Sequence, residues 1–164
     1  MVTLRALGPD DAAALTHIYS GASVRYTTGK PLTPGQAHDK IRKALARATE
    51  VPRAQWSWSI LHESDVIGLI SLRRRAPTTG TISYILRDDS WGNGYATHAV
   101  HQVVTVAFTS AGLDRLEATH HPGNPASGRV LTKAGFVRIG TADRSTRTGT
   151  LPYELYALEA RAPA

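Results

Sequence analysis

The chain has 164 residues, 41% of them hydrophobic and 20% charged, enough apolar content for one packed domain and too much for a disordered or collagen-like chain. It contains no cysteine, which excludes disulfides, thiolate nucleophiles and cysteine-ligated zinc or iron–sulfur centres in one step. Nineteen Lys and Arg against 13 Asp and Glu leave a formal charge of +6, most of it arginine and including the run Arg73-Arg74-Arg75, a balance suited to a polyanionic partner such as nucleic acid, a nucleotide or an acidic surface. The first ten residues lack the regions of a signal peptide, and no apolar run approaches the roughly 18 residues of a membrane span, so a cytoplasmic protein with no membrane association is expected.

Val2 to Leu7 alternates apolar and polar residues and predicts a short strand ended by Gly8-Pro9. Asp10 or Asp11 is placed to cap a helix running to about Tyr19, with Ala12, Leu15, Ile18 and Tyr19 at helical spacing. Ser20 to Gly35 is rich in turn formers, and a weakly apolar helix from about Pro34 to Ala48 follows as a cover or part of a substrate wall. Strands are expected at Gln55 to Glu63 and Val66 to Arg74 around a Ser64-Asp65 hairpin turn, then at Thr81 to Arg87 after a Pro77 to Gly80 loop. Trp56 and Trp58 share one strand face, as core or as substrate-side wall, and the Arg73 to Arg75 run reads as a solvated strand end.

From Gly94 to about Ser110, Val100, Val103, Val104, Ala107 and Ala111 recur at helical spacing, and Gly112 stops the helix. Arg115 to His121 reads as a strand and Pro125 to Ala134 as a short helix ended by Gly135. Phe136 to Ala142 and Leu151 to Leu158 complete the series as strands around a polar loop carrying Arg144 and Arg147. No repeat or long linker divides the chain, so residues 1–164 form one domain, a mixed α/β layer rather than a doubly wound fold.

The segment richest in chemistry joins the third strand of this central group to the long helix: Trp91-Gly92-Asn93-Gly94-Tyr95-Ala96. A Gly-x-Gly turn at a helix start lets an anion approach backbone N–H groups that have no intrahelical partner, where the helix dipole favours negative charge. It is neither a Walker A loop, since no Gly-Lys-Ser/Thr follows, nor a full dinucleotide fingerprint, since no third glycine follows.

This segment resembles the coenzyme A pyrophosphate loop of the GNAT superfamily of N-acetyltransferases, Gln/Arg-x-x-Gly-x-Gly/Ala. Gly94 and Ala96 match, while Trp91 replaces Gln/Arg, as in the branch resembling ribosomal-protein N-terminal acetyltransferases acting on alanine or serine. A second match follows at that branch's spacing: Asn124-Pro125-Ala126-Ser127, Val130-Leu131 and Lys133-Ala134-Gly135-Phe136 resemble Asn-x-x-Ser, then Leu-x-Lys-x-Gly-Phe. With Leu4-Arg5, Asp10-Asp11 and Val66-Ile67-Gly68, the resemblance covers nearly the whole chain.

The resemblance implies a mixed central sheet of about seven strands, helices on both faces, and two splayed parallel strands, here Thr81 to Arg87 and Arg115 to His121. Acetyl-CoA, as co-substrate and with no metal, would enter that gap. Tyr84, Ile85 and Leu86 would hold the pantetheine arm through backbone groups. Trp91, Gly92, Asn93, Gly94, Tyr95 and Ala96 would hold the pyrophosphate, and Asn124 would bond the pantetheine amides. Asn124 is equally placed to cap the helix behind Pro125. Ser127 reads as a capping serine or as the acid that protonates the leaving thiolate.

For the base, some relatives have a glutamate five residues before the Asn. Here that position is Thr119. His121, on the Thr119 face of its strand, and Glu154 on the last strand are the candidates. His98 is either a surface side chain or a coenzyme contact. The implied activity is direct acetyl transfer to a primary amine, either a small molecule or a protein N-terminus. Val24 to Thr33, the strand ends near His121 and Ala142 to Tyr153 would bound the acceptor pocket, and Arg25, Arg144 and Arg147 near it would favour an acceptor with a carboxylate or phosphate. The alternative is a non-catalytic acyl-CoA binder. A nucleic-acid module has only the charge in its favour, and a homodimer is compatible with the sequence.

Overall fold

The computed structural model describes residues 1–161. In chain order the elements are β1 (Thr3–Ala6), α1 (Ala12–Ile18), α2 (Pro34–Ala48), β2 (Gln55–His62), β3 (Asp65–Ala76), β4 (Thr79–Leu86), α3 (Tyr95–Thr109), β5 (Arg115–His120), α4 (Pro125–Lys133), β6 (Val137–Thr146) and β7 (Gly149–Glu159). Short 3-10 turns lie at Pro9–Asp11, Gly21–Val24 and Asp88–Ser90. The strands form one seven-stranded sheet in the order β1-β2-β3-β4-β5-β7-β6. Among its neighbours only β4 and β5 are parallel.

Strand alternation divides the core between the two faces. Ile70, Leu72, Ile82 and Leu116 pack with Val100, Val103 and Leu131 under α3 and α4. Leu69 points the other way, against Leu15, Ala37 and Ile41 of α1 and α2. The valines of α3 favour strands by propensity, yet Val100 and Val103 are fully buried, and that burial outweighs the preference. α2 starts at a reciprocal cap in which Thr33 Oγ1 accepts from the Gln36 N–H and Gln36 Oε1 accepts from the Thr33 N–H.

Several boundaries differ from those read in the sequence. The β2–β3 turn falls at Glu63-Ser64 because Glu63 takes a left-handed φ of 57°. The Pro77 to Gly80 loop shrinks to two residues. The polar loop around Arg144 is a hairpin: Arg144 pairs with Leu151 and Thr146 with Gly149, leaving only Arg147 and Thr148 as the turn. Ladder bonds use backbone groups, so a strand exposed on both faces shows no apolar alternation to find.

Asp11 also takes a different role. Its side chain does not cap α1 but turns inward, where it accepts from Arg5 (2.8 Å), the Gly8 N–H (2.9 Å) and the Ser59 hydroxyl (3.1 Å). Burial raises the pKa of such a carboxyl, but these three donors outweigh it and hold it below the usual aspartate value. A depressed carboxylate stabilises the fold above its unfolded value near 4 and loses that contribution as pH falls through the folded one. Asp11→Ala should therefore cost about 2–3 kcal/mol at pH 7, read as a fall in melting temperature, and the gap from wild type should narrow below about pH 4.

Candidate active site

β4 and β5 pair only from Thr79 to Thr81 against Arg115 to Glu117, and then separate. Beyond that point β4 remains bonded to β3 and β5 to β7, so the gap is held open from both sides. A groove of about 600 Å³ occupies it, reached by Tyr84, Ile85 and Leu86 on one lip and by Thr119, His121, Asn124 and Ser127 on the other.

The Gly-x-Gly turn closes one end. Gly92 and Gly94 have φ of +80° and +78°, and a Cβ built on either meets nothing within 4 Å, so both glycines are required by backbone conformation while the space before them is open. Trp91 Nε1 donates to the Leu86 carbonyl (3.1 Å), and the Asn93 amide donates to the carbonyls of Ser90 (3.2 Å) and Trp91 (3.1 Å). Of the expected loop residues, Trp91, Gly92, Gly94, Tyr95 and Ala96 line the groove. The Asn93 side chain instead fastens the turn. Arg87 bonds Asp65 and Asp89 at the base of the loop. Thr97 reaches the groove, whereas His98 Nδ1 accepts from the Val2 N–H (2.9 Å) and ties β1 to α3.

On the other lip, Pro125 opens α4 and Asn124 stands at its N-cap without a side-chain capping bond. Its carbonyl accepts from the Ser127 N–H (3.2 Å), and the carboxamide has no hydrogen-bond partner among the described residues. Ser127 Oγ lies 2.8 Å from the Tyr84 hydroxyl, which also donates to the Ser127 carbonyl (3.1 Å). Burial pushes the Tyr84 phenol up to about 12 despite the Ser127 bond, so it stays protonated. The sequence reading used only the backbone of Tyr84. Strand alternation could have found its side chain, since Ile82, Tyr84 and Leu86 share the face under α3 and α4.

The two base candidates separate. Glu154 pairs in register with His120, is ion-paired with Arg138, and lines a different depression with His120 and Tyr156. Strand alternation thus carries it outside the groove. His121 lines the groove between the rings of Tyr26 (5.0 Å) and Tyr153 (5.4 Å). Its Nδ1 accepts from the Gly123 N–H (2.9 Å), so the neutral tautomer that fits this bond has its proton at Nε2, facing away from that bond. Among the described residues no carboxylate lines the groove; its charged lining is Arg25, Arg129 and Lys133.

Residues 1–137 match the family model described as an acetyltransferase (GNAT) domain. An N-acetyltransferase p20 of Bacillus licheniformis, itself uncharacterised, is 30% identical over 143 residues, covering 85% of this chain and 80% of that protein. Among solved structures, Mycobacterium smegmatis RimJ in complex with CoA-disulfide superposes with a TM-score of 0.83 at 23% identity, over 97% of this chain and 82% of that one. The aminoglycoside acetyltransferase AAC(6')-Ib in complex with coenzyme A and kanamycin gives 0.78 at 20% identity, over 97% and 95%. The chain belongs to the GNAT acetyltransferase family. It is an N-acetyltransferase, and no helix among the described residues is long and apolar enough to cross a membrane.

The seating of α4 depends on Gly128, where a Cβ would come within 2.8 Å of both His120 Nε2 and the Tyr156 hydroxyl. Gly128→Ala should push α4 off β5 and carry Asn124 and Ser127 with it. A loss of about 1–3 kcal/mol in thermal or urea unfolding is expected, with weaker coenzyme A binding by calorimetry.

Proposed function

We propose that the protein transfers acetyl directly from acetyl-CoA to a primary amine, with both substrates bound together in the groove. The observation that carries this reading is the parting of β4 and β5 after three paired residues, with an anion-receptive glycine turn at one end and Asn124 and Ser127 on the facing lip. The backbone of Tyr84 to Leu86 has no partner strand on the groove side, and apart from the Leu86 carbonyl that Trp91 already engages it is open to the pantetheine amides, as is the carboxamide of Asn124. Gly92 to Ala96 and the first-turn N–H groups of α3 suit the pyrophosphate. The thioester supplies an acyl group already activated toward an amine.

Ser127 gives a proton to the departing sulfur and the Tyr84 phenol, 2.8 Å behind it, holds the serine hydroxyl in place. With no groove carboxylate and His121 set as a donor, the amine reacts as its free base, and the proton it sheds passes through solvent to the Ser127 oxygen and restores the hydroxyl that protonated the sulfur. His121 Nε2–H serves to orient the acceptor. The cysteine-free sequence supports direct transfer, since no cysteinyl acyl-enzyme can form.

Three substitutions test the assignment by thiol release across an amine panel. Ser127→Ala should lower kcat about 100-fold with little change in KM for acetyl-CoA, and Asn124→Ala should raise that KM about 10-fold. His121→Ala should retain most of kcat; a collapse comparable to that of Ser127→Ala would restore the histidine as base. In wild type, kcat/KM should rise with pH until the acceptor's own amine is neutral and then stay level to about pH 10, because Tyr84 titrates only at about 12. Acetyl-CoA binding with no thiol release from any amine would select the non-catalytic acyl-CoA binder instead.

A further inference from the structure

Arginine pairing in this protein is uneven. Arg5, Arg42, Arg87, Arg115 and Arg138 all hold carboxylates. The arginines around the acceptor end of the groove hold none among the described residues. Arg25 lines the groove and stacks toward Tyr26, its guanidinium 6.0 Å from the ring centroid. Arg144 reaches from β6 to donate to Thr119 Oγ1 (3.1 Å), and Thr119 lines the groove at the position where some relatives carry a glutamate. Arg75 donates to Thr81 Oγ1 (3.1 Å), at the last residue of β4 that pairs with β5. The hairpin turn brings the Arg147 guanidinium against Gly29, closing β6–β7 over the loop that carries Arg25.

Two of these cations, Arg75 and Arg144, bond hydroxyls rather than acids. Glu117 shares their sheet face but is bonded to Arg115. Burial lowers the proton affinity of Arg75, and the nearby charges of Arg73, Arg144 and Arg47 lower it further. Like charges assembled without a counter-ion cost the free protein stability, and an anionic ligand removes that cost. A planar guanidinium with one N–H spent on threonine keeps the rest of its fork for a carboxylate or phosphate. Thr119 and His121 lie two residues apart on one strand face, about 7 Å, so an anion beside Arg144 and an amine near His121 belong to one short molecule.

We propose that the acetyl acceptor is a small amine bearing a carboxylate or phosphate, and that Arg144 and Arg25 bind this anion. The inference rests on the acetyl-transfer reading and narrows its substrate class. It sets this protein apart from its fold neighbour crystallised with kanamycin, since a polycation would meet Arg25 and Arg144 with like charge.

The test uses matched acceptors: an amino acid against its amide, and an aminoalkyl phosphate against the corresponding amino alcohol. Wild type should show kcat/KM at least about 10-fold higher for one anionic member, and which pair responds tells carboxylate from phosphate. Arg144→Gln should raise KM for that acceptor about 10-fold and leave its neutral partner unchanged, Arg144→Lys should recover part of the loss, and Arg42→Gln, on the outer face of α2, should change neither. Equal or better use of the neutral or polycationic amines, or no effect of Arg144→Gln, would overturn the proposal.

A second measurement needs no turnover. The anionic amine, and not its neutral partner, should raise the melting temperature of wild type in the presence of coenzyme A, and Arg144→Gln should abolish the shift. If that shift appears while no amine releases thiol, acetyl transfer fails and the anion site stands. If thiol is released but neither the preference nor the shift appears, the reverse holds.

Discussion

The early parting of β4 and β5 is the constraint on which the rest of the structure depends. Two parallel strands that pair for three residues and then diverge leave backbone donors and acceptors unmet in the middle of a sheet. That arrangement persists because each strand is fully paired on its other side, β4 with β3 and β5 with β7. The gap is therefore held open from both sides, and its unmet polar edges suit an extended ligand that bonds as a strand would. Everything chemically distinctive gathers at this opening: the glycine turn follows β4, and the Asn124 to Ser127 turn follows β5.

The opening is built from both faces of the sheet. From the α3 and α4 side come the phosphate-receptive turn and the Tyr84–Ser127 pair. From the other side come the Gly21–Val24 turn, the following loop, and the His121 and Thr119 side chains. One hydrogen bond joins the two, from the Ala22 N–H to Asp88 Oδ2 (2.9 Å), so the loop after α1 is fixed to the base of the glycine turn.

Electrostatics reinforces this division. On the α3 and α4 side the groove offers Arg129 and Lys133 of α4 together with the helix-start N–H groups of α3. On the other side it offers Arg25, with Arg144 close behind Thr119. Part of the formal charge of +6 stands at this groove, where Arg25, Arg129 and Lys133 have no carboxylate beside them among the described lining residues. A carboxylate at position 119 would neutralise Arg144; the threonine there accepts one of its hydrogen bonds and leaves its charge uncompensated among the described residues.

The sequence by itself determined the order of elements, the α/β class and the glycine turn, because each rests on local spacing: apolar periods of two or about 3.6, and backbone conformations that only glycine adopts readily. Asn124 and Ser127 stand out through the resemblance of their segment to a family motif, and Arg144 and Arg147 through a polar stretch that reads as a loop. Tertiary structure alone decided the roles that depend on which groups meet across the chain. Tyr84 became the partner of Ser127, Asp11 turned from a helix cap into a buried anchor for Arg5, His98 tied down β1, and Glu154 was carried out of the groove to Arg138. Even the bond at His121 Nδ1 comes from a neighbouring N–H whose direction depends on the turn that follows β5. A hydrogen bond is set to within a few tenths of an ångström by the packing of whole helices and strands, and that distance is not encoded in any local pattern.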